Sequence, residues 1–281
     1  MARLIYSVLF YLLLPLIILR LLFRGLKSSG YRSRWAERLG LVASTADKRI
    51  IWLHAVSVGE TLAAAPLVRA LQEQYPQHRL LVTCMTPTGS ERIQAVFGDS
   101  VEHCYAPYDM PDALSRFLAT VNPKMLIIME TELWPNTIAA CHRRNIPVVL
   151  ANARLSQKSA LGYSRVKPLV KPMLESMTAV VAQHHDDGAR FIDLGLPDSV
   201  LSISGNIKFD LTLDAPLKQY AQQLGTQWRG AEGRLIWLAA STHRGEDEII
   251  LQAMSQIKAG MEGPPLLVLV PRHPERFDQG A

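Results

Sequence analysis

Seven short apolar runs rich in β-branched residues recur along this chain, at Ile50–Val56, Arg79–Met85, Val101–Ala106, Lys124–Met129, Ile146–Leu150, Ala179–Ala182 and Val200–Ser204. Segments with helical spacing, such as Pro111–Val121, separate them. Runs of this length and composition fit strands buried on both faces. Strands alternating with helices predict an α/β fold with a doubly wound parallel sheet. Such a sheet presents its chemistry at the carboxyl ends of its strands, so the polar residues after each run are the ones to weigh.

After the first run comes Ser57-Val58-Gly59-Glu60, opening a helical pattern that extends to Leu71. A carboxylate there, beside a glycine that keeps the turn accessible, can accept a proton from a bound hydroxyl. The same residues form a capping box in which Glu60 satisfies a backbone amide, and both readings stand. Pro66 inside a helix would cost about 3 kcal/mol, so the helix either kinks there or begins its regular part there.

The second run ends in Thr86-Pro87-Thr88-Gly89-Ser90-Glu91, a helix start suited to phosphate, although plain capping by Thr86 or Thr88 is the simpler reading. The fourth ends in Glu130-Thr131-Glu132-Leu133-Trp134-Pro135-Asn136, a polar, ring-bearing cluster of a kind that binds sugars. Equally, Glu132 suits a helix amino terminus and Trp134 a core. Arg154 at the end of the fifth strand is an anion ligand or a surface arginine. His184-His185-Asp186-Asp187 predicts no metal, because adjacent loop residues rarely converge on one ion; Asp186 or Asp187 capping the helix through Phe191 explains it. Lys208, in Gly205–Asp210, is placed to face the crevice.

Leu211–Leu217, with Pro216, reads as a linker. Beyond it, Arg234–Ala240 and Pro265–Val270 are strands and Gly245–Ala259 a helix, and the turn Ser241–Glu246 suits a nucleotide phosphate. Two strands and one clear helix are too few for a covered Rossmann-like sheet, and leave an exposed edge after Val270. The chain carries no GxGxxG, Walker, GxSxG or HExxH motif.

Leu4–Leu19 is uncharged and apolar, and Arg20 can snorkel to extend the run to Phe23, so residues 1–25 predict a membrane anchor, spanning or interfacial. Residues 1–48 hold eight Lys/Arg against two Asp/Glu, more than the whole net charge of +5. The basic excess is therefore local, which argues against nucleic acid and for anionic lipid. Arg20, Arg24, Lys27, Arg32, Arg34 and Arg38 follow the apolar run, which places the body on the cytoplasmic side and offers charge to headgroups. Cys84, Cys104 and Cys141 lack CxxC spacing and read as reduced thiols.

In order along the chain, HAVSVGETLAA, MTPTGSERIQ, METELWPN, ANARLS, GNIKFD, STHRGE and VPRHPERF closely resemble the bacterial 3-deoxy-D-manno-octulosonic acid (Kdo) transferase family. The resemblance covers nearly the whole chain. It implies a GT-B fold with an N-terminal anchor, a complete N-terminal Rossmann-like acceptor domain at 26–212 and the start of a C-terminal nucleotide-sugar domain at 213–281. It implies an inverting glycosyltransferase that moves Kdo from CMP-Kdo to the phosphorylated lipid A precursor, lipid IVA, at the cytoplasmic side of the inner membrane, without cofactor or metal. By motif, Glu60 matches the general base, Glu130 and Lys208 match transition-state stabilisers, and Pro271 and Arg272 match part of the CMP site. Ser241 is a phosphate neighbour by position. Family members continue well past Ala281, so the chain is expected to be a truncated form. The alternative is an inactive remnant that binds only membrane and acceptor.

Overall fold

The computed structural model describes residues 1–27, 29–44, 49–210 and 215–272, and the chain divides into two compact units, Met1–Leu211 and Thr212–Ala281. In the first unit, β1 (Arg49–His54), β2 (His78–Cys84), β3 (Glu102–Tyr105), β4 (Met125–Met129), β5 (Val148–Ala153), β6 (Ala179–Ala182) and β7 (Leu201–Ile203) make one sheet. Its order is β3-β2-β1-β4-β5-β6-β7, and every pairing is parallel. The expected α/β class is therefore present. The chain walks outward from β1 to β3, then returns to β4 on the other side of β1. That reversal is the topological switch point, where an open parallel sheet leaves a crevice beyond its carboxyl ends.

Alternation along the strands decides which face each residue covers. Ile51, Leu53, Val82, Ile127 and Met129 pack with Ala63, Ala64 and Val68 of α3 (Val58–Gln74) and Ile93 of α4 (Pro87–Phe97). On the other face Trp52, Leu126, Ile128, Val148 and Leu150 meet α5 (Pro111–Val121), α6 (Pro135–Arg143) and α8 (Lys167–Glu175), with Phe117 at 4.7 Å from Trp52 between ring centroids. Helix α3 runs from Val58 through Pro66 to Gln74, so the helix does not start at the proline.

The N-terminal run is one helix, α1 (Ala2–Lys27), 26 residues long and apolar enough to cross a membrane. It is docked along the first unit. Phe10, Leu14, Ile17 and Leu21, spaced as one helical stripe, pack against Tyr108, Met110, Ala113 and Met85. Near its start Ser7 Oγ and Asn136 exchange hydrogen bonds at the head of α6. The opposite face leaves Leu9, Leu12, Leu13, Leu16 and Leu19 exposed. Two arginines expected to meet headgroups are otherwise engaged. Arg38 is 2% exposed, with its guanidinium 4.2 Å from the Tyr105 ring and donating to the Met85 carbonyl. Arg34 bonds Glu37, Ser90 and the His103 carbonyl.

The second unit holds α10 (Ala215–Arg229), β8 (Ile236–Thr242), α11 (Glu246–Gly260) and β9 (Leu266–Pro271), with β8 and β9 parallel. Part of the expected linker is thus helical, because Pro216 sits in the first turn of α10, where its missing amide costs nothing. Residues 211–214 of that linker and 273–277 of the VPRHPERF motif lie outside the described residues.

Candidate functional site

The turn after β1 is built by its own cap. Ser57 is the N-cap of α3 in an extended conformation, and its Oγ accepts from the Glu60 amide at 3.3 Å. The Glu60 carboxylate answers with both oxygens: Oε1 accepts from Ser57 Oγ and Oε2 from the Val56 amide, each at 2.7 Å. Ionised carboxylate offers about four lone-pair directions, so the box leaves acceptor capacity unused. Glu60 is 7% exposed. Burial raises its pKa above the carboxylate norm, the Ser57 hydroxyl and Val56 amide oppose the rise, and the charge of Glu130 adds to it. A Cβ on Gly59 would meet only Ser57 Oγ, at 3.9 Å, so packing does not demand this glycine; it keeps the approach to the turn open.

Across the switch point, β4 delivers Glu130. Its backbone turns into the left-handed region at φ 56° while its amide still bonds the Ala151 carbonyl of β5 at 2.9 Å. Such a conformation is uncommon for a residue other than glycine and is characteristic of sites where geometry is over-determined. Glu130 Oε1 lies 3.5 Å from Lys208 Nζ. Exposed pairs of this length contribute at most about 1 kcal/mol, so this one sets position more than stability. The structure thus joins two sequence-predicted residues that are 78 positions apart.

Asn152 holds the lysine segment in place, and the sequence reading passed over it. It sits in β5 with φ 55° and is 4% exposed. Its Oδ1 accepts from the Ile207 amide at 3.1 Å, and its carbonyl accepts from Gln183 at 3.1 Å. Asn206 Oδ1 then accepts from the Lys208 amide at 3.0 Å. An amide side chain inside an otherwise apolar strand was the available signal. The sequence pattern ends the strand at Leu150, whereas β5 continues to Ala153.

Glu132 follows in the same turn after β4. Its pKa is pushed up to about 7, first by burial and then by the negative charge of Glu60, with Trp134 opposing. Helix α6 begins at Pro135 with Trp134 as N-cap, and the amides of Asn136 and Thr137 go to Asp109, at 2.9 and 2.7 Å. Those two amides are thus taken by Asp109 and not by Glu132. His54, at the end of β1, is buried against Thr83 Oγ1 at 2.9 Å, and burial pushes its pKa down to about 4, so its ring is neutral.

Thr86 caps α4 by accepting from the Gly89 amide, which is the simpler of the two readings for that turn. Arg154 is exposed, and its carbonyl takes the Thr131 hydroxyl. The histidine–aspartate quartet is resolved differently from the expected cap. His184 is the N-cap of α9 (His185–Asp193) without a side-chain bond, while buried Asp187 accepts from the Leu155 amide at 2.8 Å and faces Arg190 at 3.5 Å. Among the described residues no His, Cys, Asp or Glu group is arranged to hold a metal ion.

In the second unit, Thr242 pairs with Pro271 across a bulge after Ala240, and the Arg272 amide donates to the Thr242 carbonyl at 3.1 Å. Ser241, at φ 62°, is the residue at that irregularity. The pairing gathers Ser241, Pro271 and Arg272 at one end of the two-stranded sheet, beside the start of α11. There Glu246 Oε2 accepts from the His243 amide at 2.7 Å.

A family model described as 3-deoxy-D-manno-octulosonic-acid transferase (kdotransferase) matches residues 33–211. A 3-deoxy-D-manno-octulosonic acid transferase of Haemophilus influenzae is 47% identical over 280 residues, covering 99% of this chain and 65% of the relative. One from Bordetella pertussis is 35% identical over 293 residues, covering 100% and 66%. The chain thus spans about two thirds of the length of these relatives. Among solved structures, a UDP-GlcNAc 2-epimerase from Neisseria meningitidis bound to UDP-GlcNAc superposes with a TM-score of 0.53 at 14% identity, covering 82% of this chain and 67% of that one. At that identity the likeness concerns the fold alone, which is of the GT-B type.

Proposed function

From the premise that this chain belongs to the 3-deoxy-D-manno-octulosonic-acid transferase family, we propose that it serves an inverting transfer of Kdo from CMP-Kdo to the phosphorylated lipid A precursor, lipid IVA. The observation that carries this reading is the arrangement at the switch point. The Glu130–Lys208 pair, 3.5 Å apart, follows β4, and the half-open carboxylate of Glu60 follows the neighbouring β1.

In one displacement the acceptor hydroxyl forms a bond to the anomeric carbon while the bond to the CMP phosphate breaks. Glu60 takes the hydroxyl proton on an unused lone pair. Its pKa, raised by burial and by the charge of Glu130, makes it a better base than an ordinary carboxylate. Lys208, held by Asn152, Asn206 and Glu130, supplies fixed positive charge where negative charge moves, and needs no reorganisation to do so. Arg272 and the amides near Ser241, with Pro271 shaping the turn, meet the departing CMP phosphate. The first unit is then the acceptor domain and the second belongs to the nucleotide-sugar domain.

Helix α1 attaches the protein to the cytoplasmic face of the inner membrane. The packing of its stripe from Phe10 to Leu21 on the first unit supports an interfacial placement, with the exposed leucines in the lipid. Arg20 and Arg24 are left to meet anionic headgroups.

The test is a transfer assay on the product of the gene that encodes this chain, with CMP-Kdo and lipid IVA, comparing Lys208→Met with the parent. A fall in turnover of roughly a hundredfold or more, with unchanged thermal stability, is the expected result. A second reading, binding of membrane and acceptor without transfer, is favoured by the thin burial of the second unit, where Thr242 and Met254 are the buried residues among those described. It predicts acceptor binding with no transfer from the parent protein.

A further inference from the structure

Between α1 and the sheet lies a cavity of about 310 Å³, bounded by Phe10 and Ile17 of the helix, Trp52 and Ile128 of the sheet, Met85, and Arg20. Protein interiors close-pack, and an apolar hole of about 150 Å³ already stays dry and takes up benzene. A space twice that size, kept between a sheet and a helix with rigid aromatic walls, is outside the ordinary range of packing defects.

Three observations define its occupant. The walls are mainly apolar, and two of the polar members are already engaged: His54 bonds Thr83 at 2.9 Å and Thr137 bonds Asp109 at 2.6 Å. The helix that forms one wall exposes Leu9, Leu12, Leu13, Leu16 and Leu19 on its outer side, a ridge suited to the hydrocarbon side of a membrane surface. Arg20 is exposed yet also lines the cavity, so a cation stands beside an apolar space. Together these fit an amphiphile with one hydrocarbon chain and an anionic head.

We propose that this cavity receives one acyl chain of a phosphate-bearing lipid, with Arg20 at its phosphate. The inference deepens the proposed transfer and rests on it for its meaning. The cavity reaches His54 and Trp134, and these residues flank the turns that carry Glu60 and Glu130. A chain seated there holds the lipid's head beside the switch point, so α1 measures the acceptor as well as attaching the protein.

The test uses a lysophosphatidic acid whose dodecanoyl chain is brominated near its middle, titrated into the purified chain while tryptophan fluorescence is read. Bromine in the cavity quenches Trp52 and Trp134, and Trp52→Phe loses part of that quenching. Glycerol phosphate, which has the head and no chain, leaves the fluorescence unchanged. Ile17→Phe and Ala106→Leu, both at lining positions, fill the cavity and are expected to weaken binding by about tenfold or more. If those variants fail to fold, Arg20→Gln serves: it weakens the phosphate lipid while leaving brominated dodecanol unaffected. Displacement of the probe by lipid IVA at lower concentration than by phosphatidylglycerol identifies the acceptor as the source, and the reverse order identifies bulk lipid. Absence of quenching, or undiminished quenching in folded Ile17→Phe, overturns the proposal even where transfer is intact. Loss of the transfer reading with quenching preserved overturns only the catalytic assignment.

Discussion

In the first unit Ile50, Trp52 and Leu53 of β1 are at most 2% exposed, whereas Leu238 in the middle of β8 is 58% exposed and Ile249 on α11 is 66% exposed. Both strands carry apolar sequence and both pair in parallel with a neighbour. What differs is the number of layers. β1 has strands on both sides and helices over both faces, while the described part of the second unit offers β8 one partner strand and little cover. Apolar pattern makes a strand, but burial makes it stable.

The same contrast governs the candidate residues. Glu60 is fixed by a two-oxygen cap, and the Lys208 segment is held by Asn152, Asn206 and Glu130, all within a packed unit. Ser241 and Arg272 are aligned chiefly by the backbone pairing of β8 and β9. A site needs its supporting shell to hold reactive groups within fractions of an ångström, and the first unit supplies one.

The largest effect that would sharpen this contrast is a paired truncation. Phe117→Ala, at a fully buried ring against Trp52, should cost about 3–5 kcal/mol. Leu238→Ala in the second unit should stay within about 1 kcal/mol. Equal costs in urea unfolding would erase the distinction between the units. Next in size is native-state hydrogen exchange, where amides of β1 and β4 should exchange roughly a hundredfold more slowly than those of β8. Similar protection in the two sheets would mean that the second unit is stabilised by something other than local burial.

A smaller effect belongs to Glu132. A carboxyl that binds its proton more tightly folded than unfolded contributes a stability that is present at acid pH and lost as pH rises from 4.5 to about 7. Thermal melts of Glu132→Gln should therefore be flatter than the parent's across that window. An unchanged slope would contradict a half-buried Glu132 carboxyl that holds its proton to about neutral pH.

Much of the fold was legible because its signals are local. Pro111–Val121 is read as a helix and is one, and Ala179–Ala182 is read as a strand and is one. β5 was misplaced because Asn152 adopts a left-handed backbone inside a strand, where polarity and turn propensity point the wrong way. The docking of α1 was hidden for another reason. All its faces are apolar, so nothing in its spacing marks Phe10, Leu14, Ile17 and Leu21 as the stripe that meets the sheet domain. Glu130 and Lys208 were each picked out from their motifs, but their pairing depends on β4 and the segment after β7 ending on the same edge of one sheet. Arg38, read as a lipid-facing charge, is a buried cation between tyrosine rings, which only the folded arrangement of Tyr105 and Tyr108 reveals.

Glu60 caps α3 and is proposed as the base at the switch point. Glu60→Gln keeps the shape of the box and removes the base, so turnover in the transfer assay should fall by about two to four orders of magnitude while stability moves by no more than about 1 kcal/mol. Turnover that survives in Glu60→Gln, together with a large loss of stability, would contradict the account and leave Glu60 as a helix cap alone.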